Sequence, residues 1–480
     1  MRKDPITHAA LAVLAALVLA GAGSNADADE GVLPSIMVFN NPFGVDETIS
    51  TAGAVNLSNP FFQSLGGNGR ACVSCHQPSA GWTVTPANVR ARFDASAGTD
   101  PIFRTNDGSV SPDADVSTVD ARRAAYAMLL DKGLIRVGIG IPANAQFDLV
   151  AVDDPYHHAN AGDLSLFRRP LPSTNLGFIS TVMWDGRETF RDAASTSCLM
   201  GTTTCYATVH FDLADQASGA TTGHAQAPTA PSADTLAQIV AFETSLVTAQ
   251  VLDDDTGPLL IHGAQGGPRH LDRQPFYFGI NDVLANDYRT GATFNPAVFT
   301  LYDEWQRDKH MAKNEGQMRG VEARAAVYRG QQLFNTKPIK ITGVAGLNDD
   351  LDVPLINGTC TTCHDSPGAG SHSTPAPLNI GIADASRRTP DMPLYTLRHN
   401  VAPFEEVQTT DPGRALITGA WKDIGRFKGP VLRALATRPP YFHNGSAKDL
   451  AAVVDFYNDR FSIGFTDQEK QDLEAFLRTL

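Results

Sequence analysis

Two short motifs of the form Cys-x-x-Cys-His constrain this chain more than any other feature of its sequence. The two thiols of such a motif can add to the two vinyl groups of a haem, and the histidine can then bind the haem iron. A zinc ribbon also uses paired Cys-x-x-Cys, but both pairs here end in histidine and lie far apart in the chain. The sequence therefore predicts two covalently attached haem c groups, held by Cys72, Cys75, His76, Cys360, Cys363 and His364.

The first residues of the chain have the pattern of a signal peptide. Arg2 and Lys3 form a basic start, residues 9–22 are apolar, and residues 26–28 (Ala-Asp-Ala) form a small-x-small cleavage site. The apolar stretch is too short to cross a bilayer comfortably, and an uncleaved anchor is the alternative. We predict a signal peptide over 1–28, cleaved near Ala28, and a periplasmic protein without stable membrane insertion.

Two cysteines lie outside the haem motifs. Cys198 and Cys205 are close together in a polar, threonine-rich segment. Because disulfides form and persist in an oxidising compartment, we predict a local disulfide between them, with two free thiols as the alternative.

Charge and length narrow the range of functions. The formal net charge is -14 at pH 7, and the chain has no basic stripe, which argues against nucleic-acid binding. The chain has 480 residues, far more than two haems need in a small electron carrier. Length therefore favours an enzyme. A peroxide-using enzyme, an oxygenase and a passive electron carrier all remain open at this point.

The periodicity of apolar residues predicts helices in both halves of the chain. An amphipathic helix is predicted over 234–250, with Ser232 or Asp234 as its cap. A capping box at residues 466–469 predicts the start of the last helix. Residues 134–152 are predicted as short strands or loops.

Four further motifs carry a family resemblance. They are Trp-Asp-Gly-Arg at 184–187, RGQQLF at 329–334, FKGPVLR at 427–433 and PYFHNG at 440–445. Together they resemble the bacterial dihaem cytochrome c peroxidase family, which includes the MauG enzymes. The resemblance covers most of the chain from about residue 60. It is weakest over 85–165 and 252–300.

The resemblance implies a fold and a division into domains. We expect a mainly α protein made of two cytochrome c-like haem domains with loop-rich insertions. The N-terminal domain, 29–251, would carry the peroxide-reacting haem, and the C-terminal domain, 299–480, the electron-transfer haem. Residues 252–298, rich in Gly, Pro and Asp, would form the linker.

The resemblance also makes the two haems unequal. Peroxidases of the family have methionine as the second ligand of the electron-transfer haem, fourteen residues after the histidine of the PYFH motif. Tyr457 stands at that position here, as in MauG-type members. A tyrosine packed in the core with its hydroxyl bonded nearby is the alternative. Ser96 stands where many peroxidases have a second histidine for the other haem, so the haem of His76 is expected to be open on one side.

Family peroxidases place a Gln and a Glu over the open haem, ten residues apart. Gln216 matches the Gln, but Gln226 stands where the Glu is expected, and an amide cannot transfer a proton. His224 is the candidate to replace that acid, with a structural histidine as the alternative. Trp184 matches the family's tryptophan between the haems, which helps electrons pass.

The sequence does not decide whether the protein binds calcium or which molecule donates its electrons. The resemblance implies a calcium ion held by backbone carbonyls of Arg438 and Pro440, but Pro170 stands where the family has its Asn ligand. We expect a dihaem oxidoreductase that reacts with hydrogen peroxide. Its electrons would come from a small cytochrome or cupredoxin, or from side chains of a partner protein, as in MauG. A non-catalytic dihaem electron-transfer protein is the further alternative.

Overall fold

The computed structural model describes residues 31–195, 197–198, 204–310 and 315–480, so the predicted signal peptide lies outside the described residues. The α-helices are α1 Pro86–Ser96, α2 Val119–Ala125, α3 Ala127–Lys132, α4 Val209–Gly223, α5 Ala233–Thr244, α6 Pro268–Leu271, α7 Glu315–Thr336, α8 Ala415–Thr418, α9 Leu450–Phe461 and α10 Asp467–Arg478. The strands are β1 Val32–Leu33, β2 Ile36–Asn41, β3 Gly44–Ser50, β4 Val55–Asn56, β5 Ile135–Ile139, β6 Phe147–Asp153, β7 Leu164–Arg168, β8 Ser197–Cys198, β9 Cys205–Tyr206, β10 Leu246–Asp253, β11 Gly257–Pro258, β12 Ile339–Ile341, β13 Ile356–Gly358, β14 Leu394–His399 and β15 Glu406–Thr409.

The expectation of a mainly α fold is wrong. Helices account for 29% and strands for 18% of the structure, and the strands form several small antiparallel sheets. The largest sheet has the strand order β11-β10-β3-β2, and a three-stranded sheet has the order β15-β14-β6. The strands are short, two to eight residues each, so none contains a long run of alternating apolar residues that would predict it.

The central strand β3 shows why the larger sheet escaped prediction. Its buried residues are polar, including Asp46, Thr48 and Ser50, so the usual apolar alternation is missing. Hydrogen bonds satisfy these buried polar side chains. The hydroxyl of Thr48 lies 2.8 Å from that of Thr248 on β10 and accepts from the Trp82 indole at 3.0 Å. The sheet is therefore joined through Trp82 to the segment that follows the first haem motif.

The predicted helix over 234–250 is too long. Ser232 caps α5 as expected, accepting from the amide of Thr235 at 3.2 Å, but α5 ends at Thr244. The chain then turns at Ser245 into β10, whose residues include Val247, Thr248 and Val251. β-Branched residues favour the strand, and pairing with β3 overrides the helical pattern.

The second sheet connects distant parts of the chain. Strand β6, from the segment with the weakest family resemblance, pairs with β14, and Leu397 lies opposite Leu149. Beneath this sheet a core forms around Phe147, Leu166 and Tyr395. The segment over 134–152 thus forms two strands: β5 pairs with β7, and β6 crosses to β14 in the C-terminal half.

Helices α7 and α10 form the core behind the second haem motif. Gly330 lies against the backbone carbonyl of Asp472, so a larger residue would push the two helices apart. Thr466 caps α10 and forms the predicted capping box with Glu469. Phe334 on α7 brings this core to His364, with ring centroids 5.9 Å apart. Within the described ranges, no helix is both long and apolar enough to cross a membrane.

Candidate functional site

The two Cys-x-x-Cys-His motifs adopt the same local structure. Each begins with a 3₁₀ turn, and the amide of the histidine donates to the carbonyl of the first cysteine, at 3.0 Å in the first motif and 3.2 Å in the second. In both, a hydroxyl at the third position, Ser74 or Thr362, accepts from the amide that precedes the first cysteine. This turn brings two thiols and one imidazole to the same side of the chain.

A backbone carbonyl six residues later orients each histidine. Nδ1 of His76 lies 3.1 Å from the carbonyl of Trp82, and Nδ1 of His364 lies 2.8 Å from that of Gly370. Burial lowers the pKa of His76 to about 4 and also lowers the pKa of His364, so both rings are neutral. Each ring therefore donates through Nδ1 and keeps the lone pair of Nε2 for a metal.

A large cavity opens beside the first motif. It opens to solvent, and the space between its atoms, open solvent included, is about 1690 Å³. Its walls include Cys72, Cys75 and His76, together with α4, α5 and residues 428–438 of the C-terminal half. The cavity thus lies directly beside the groups that would attach a macrocycle.

Buried cations in the cavity wall also suit a haem. Arg169, Lys428 and Arg433 are buried and Arg438 is half-buried, yet in the described part of the chain they donate only to backbone carbonyls. Burial, together with the charge of Arg438, lowers the pKa of Lys428 to about 7. Buried cations are normally paired with anions. These buried cations have no anionic partner among the described residues. The two propionate groups of a haem are carboxylates that would pair with them.

Three of the four residues predicted around the open haem lie in the cavity wall. Gln216 lies on α4, and His224 caps the C-terminal end of this helix about two turns later, so both lie on the same face. Trp184 lines the cavity from another side, and its indole donates to the carbonyl of Arg169 at 2.8 Å. Gln226 is exposed, its side-chain oxygen accepts from Asn68 at 3.3 Å, and it stands outside the cavity lining.

Sequence reasoning missed an ionic network in the same wall. Nδ1 of His224 lies 2.5 Å from Oδ2 of Asp107, and the other oxygen of Asp107 accepts from Arg70. Burial by itself would raise the pKa of Asp107, but the hydrogen bond from His224 and the charge of Arg70 hold that pKa below its usual range. Asp107 follows Asn106 and precedes Gly108, a sequence that indicates only a turn. Nothing in the local sequence identifies its partner.

Glu243 is a second residue that sequence reasoning missed. It lines the cavity from α5, is buried, and interacts electrostatically with Cys72. Burial raises the pKa of Glu243 to about 8. A signal for it exists: Glu243 falls four residues after Ile239, on the apolar face of its helix, where a charged residue is unusual.

The second motif is closed by Tyr457 from α9. The ring of Tyr457 lies close enough to Cys363 and Cys360 for their charges to act on it, and burial raises the pKa of its phenol. Among the described residues, no side chain or carbonyl forms a hydrogen bond with that hydroxyl. The role of Tyr457 as a metal ligand stays a prediction.

Aromatic residues connect Trp184 with Tyr457. Both pack against the same small core, which contains Phe427 and Phe456. The ring centroid of His443 lies 6.3 Å from that of Trp184 and 4.0 Å from that of Phe427. The cavity and the second motif are therefore joined by packed side chains.

The remaining predicted positions have simpler surroundings. Cys198 and Cys205 are joined by a disulfide bond between β8 and β9. Ser96 lies in the last turn of α1, where its hydroxyl donates to the carbonyl of Arg92 at 2.7 Å, away from the cavity.

The predicted calcium ligands lie beside basic side chains. The carbonyl of Arg438 accepts from the guanidinium of Arg169 at 3.2 Å, and Lys428 lies in the same wall. These basic side chains disfavour a cation there, and calcium binding by Arg438 and Pro440 stays a prediction.

Comparison with known proteins gives relatives of one kind. The cytochrome-c peroxidase IdrP1 of Pseudomonas sp. (strain SCT) is 31% identical over 233 residues, which cover 44% of this chain and 54% of that protein. The cytochrome-c peroxidase IdrP2 of Denitromonas iodatirespirans is 32% identical over 145 residues, covering 28% of this chain and 38% of its own length. The cytochrome c551 peroxidase of Nitrosomonas europaea is 23% identical over 220 residues, covering 44% of this chain and 49% of that protein.

The coverage of these similarities is partial. The chain spans about half the length, or less, of the curated relatives that it matches. No family model matches the sequence. A solved MauG-like protein associated with microbial copper homeostasis aligns over 95% of both chains, at 17% identity and a TM-score of 0.35, which is too low to establish a common fold.

Proposed function

We propose that this chain, which is related to the dihaem cytochrome c peroxidase and MauG family, is a c-type dihaem oxidoreductase that reacts with hydrogen peroxide. The observation that carries the proposal is the difference between its two motifs. His76 lines a large cavity, whereas the second motif has the phenol of Tyr457 beside its two cysteines. In this proposal the first site admits a small oxidant, and Tyr457 occupies the corresponding position at the second.

The proposed haem ligands follow from that geometry. Cys72 and Cys75 would attach one haem and His76 would bind its iron, while Cys360, Cys363, His364 and Tyr457 would hold the other. When bound, haem supplies the iron that coordinates peroxide and passes electrons to it. A phenolate is a hard anionic donor that stabilises oxidised iron, so Tyr457 suits a haem that holds oxidising equivalents.

The polar residues of the cavity wall would manage protons. Reduction of one peroxide consumes two protons and two electrons and yields two waters. Gln216 can orient the oxidant by hydrogen bonding, and His224 can carry a proton through Nε2. Gln226 takes no part in this proposal, since its side chain is exposed and bonded to Asn68.

Electrons would reach the cavity from the second haem. Trp184 is the connecting residue, because it lines the cavity and packs against the core that also contacts Tyr457. The packed rings of His443 and Phe427 extend this contact. Close packing shortens the distance through which an electron must tunnel.

Two electron sources are compatible with this proposal. A small cytochrome or cupredoxin would make the protein a peroxidase, as the names of its relatives suggest. Tyr457 favours the second source, oxidation of side chains on a partner protein as in MauG. Either reaction fits an exported, periplasmic protein, because haem attachment and the Cys198–Cys205 disulfide both belong to an oxidising compartment.

Rapid mixing of the holoprotein with hydrogen peroxide tests the proposal. We expect a change in the Soret band within the first second, and a faster return when a reduced small cytochrome is present. A return only with reduced cytochrome would identify a peroxidase, and a long-lived change would favour oxidation of a protein substrate. Slow bleaching alone would indicate a non-catalytic electron-transfer protein and contradict the proposal.

A further inference from the structure

We propose that Asp107 and Arg70 position His224 so that its Nε2 transfers the proton when peroxide is cleaved in the cavity. The inference rests on the proposed peroxide reaction and goes beyond it, because Asp107 lies in the segment with the weakest resemblance to any family. Asp107 and Arg70 are positioning residues in this proposal, and His224 is the residue that meets the substrate.

The hydrogen bond to Asp107 fixes the tautomer of His224. Nδ1 lies 2.5 Å from Oδ2 of Asp107, and an anionic carboxylate can only accept, so Nδ1 carries the hydrogen. Nε2 of a neutral ring then has the free lone pair. Among the described residues Nε2 has no hydrogen-bond partner, and the His224 side chain, 40% exposed, lines the cavity.

Arg70 holds Asp107 in a fixed place. Its Nε donates to the carbonyl of Pro101 at 2.9 Å, its Nη2 to that of Ile102 at 2.7 Å, and its Nη1 to the carbonyl of His224 at 3.2 Å. Arg70 is 3% exposed and Asp107 5% exposed. The guanidinium therefore binds both the carboxylate and the backbone of the histidine, so the three residues form one rigid unit.

This arrangement suits proton transfer between the two oxygens of a peroxide. Nε2 takes a proton from one oxygen and gives it to the other, which departs as water when the O–O bond breaks. The two electrons of that cleavage come from the haem, as in the proposed function, and the remaining oxygen takes up two protons and leaves as the second water. Asp107 stabilises the positive ring between the two transfers. Arg104 and Tyr126 act electrostatically on Arg70, and the Cys75 position and the neutral His76 also lie near the unit.

A second Arg-Asp-His set in the chain provides a comparison in which the histidine lies outside the cavity. Asp163 accepts from Arg136 at 2.5 Å and lies 2.9 Å from Nε2 of His158. Nδ1 of His158 lies 3.3 Å from Asp113, so both ring nitrogens face carboxylates. None of these residues lines the cavity. His224 differs from His158 in keeping one nitrogen free toward the cavity.

Three variants of the holoprotein test the proposal. Asp107→Asn removes the positioning charge, His224→Ala removes the ring, and Asp163→Asn is the matched control. Two rates are measured between pH 5 and pH 9: the peroxide-induced Soret change, and cyanide binding to the ferric protein, in which HCN must lose its proton to a nearby base. The resting ferric spectrum is recorded for each variant.

We expect His224→Ala to slow the peroxide reaction about 100-fold or more, the usual contribution of an acid–base group. Asp107→Asn should slow it at least about 10-fold and change the pH profile of both rates, because the carboxylate that holds the ring in its Nδ1–H tautomer is lost. Asp163→Asn should leave both rates within about twofold of the unchanged protein. Added imidazole should restore part of the rate in His224→Ala.

Several results would overturn the inference. Equal profiles for Asp107→Asn and Asp163→Asn would show that Asp107 does not act on His224. A ferric spectrum that changes from low spin to high spin in His224→Ala would make His224 an iron ligand. If Asp107→Asn fails to fold, absence of imidazole rescue in His224→Ala decides against proton transfer. A parent protein that binds cyanide but does not react with peroxide would instead contradict the proposed function.

Discussion

Replacing Glu243 by glutamine is expected to stabilise the protein at alkaline pH. The Glu243 side chain is buried against Cys72 in the cavity wall, and its Oε2 has no hydrogen-bond partner among the described residues. Burial raises its pKa from 4.5 to about 8, because a carboxylate there loses its hydration. Glutamine has the same size and carries no charge at any pH.

The expected effect follows from proton binding. A carboxyl group whose pKa is higher in the folded than in the unfolded chain binds more protons when folded. Its contribution to stability is fully present below pH 4.5 and is lost as the pH rises through about 8. Since one pKa unit corresponds to about 1.4 kcal/mol, the loss has an upper value of ~5 kcal/mol. Glu243→Gln avoids this loss.

Urea unfolding followed by circular dichroism measures the effect. We expect Glu243→Gln and the parent protein to have similar free energies of unfolding at pH 5. At pH 9 the variant should be more stable by roughly 2–5 kcal/mol. Glu322→Gln, an exposed position on α7, is the matched control and should follow the parent at both values.

Two outcomes would refute the reasoning. Parallel curves for the parent and Glu243→Gln would mean that the carboxylate is hydrated or paired, so that burial does not disfavour its charge. Equal gains for Glu243→Gln and Glu322→Gln would trace the effect to the net charge of the protein.

Three shorter predictions address the other parts of the molecule. Tyr457→Phe should change the ferric absorption spectrum of one haem only, and an unchanged spectrum would remove Tyr457 from the ligands. Gly330→Ala should lower the free energy of unfolding by about 1–3 kcal/mol, because the added methyl group meets the carbonyl of Asp472; a neutral result in urea unfolding would show that α7 and α10 can separate freely. Calcium chelation should leave the haem spectra and the Tm unchanged, and a shift in either would place a cation near Arg438 after all.

The haem motifs and the family relationship could be predicted from sequence because their chemistry is local. A Cys-x-x-Cys-His motif is complete within five residues, and the surrounding motifs correctly predicted a relationship to cytochrome-c peroxidases, which the sequence comparisons confirm. Gln216, His224 and Trp184 were predicted from the family resemblance, and all three line one cavity. The haem-binding roles themselves stay predictions until the spectra are measured.

The sheets and the ionic network could not be predicted because they depend on contacts between distant residues. Strand β3 buries Asp46 and Thr48, so its stability comes from hydrogen bonds to partners that no local pattern identifies. Asp107 looks like a turn residue until folding brings it to His224. The excess length of the predicted helix over 234–250 has the same origin, since pairing between β10 and β3 decides where α5 ends.

The composition of the cavity wall has a consequence for the biogenesis of the protein. Cys72 and Cys75 lie at the back of a cavity that residues 428–438 help to enclose, although those residues are made after most of the chain. An enzyme that joins haem to thiols must reach both sulfur atoms. If haem is attached as proposed, attachment to the first motif is expected to precede docking of residues 428–438, so the order of attachment and folding would matter for maturation.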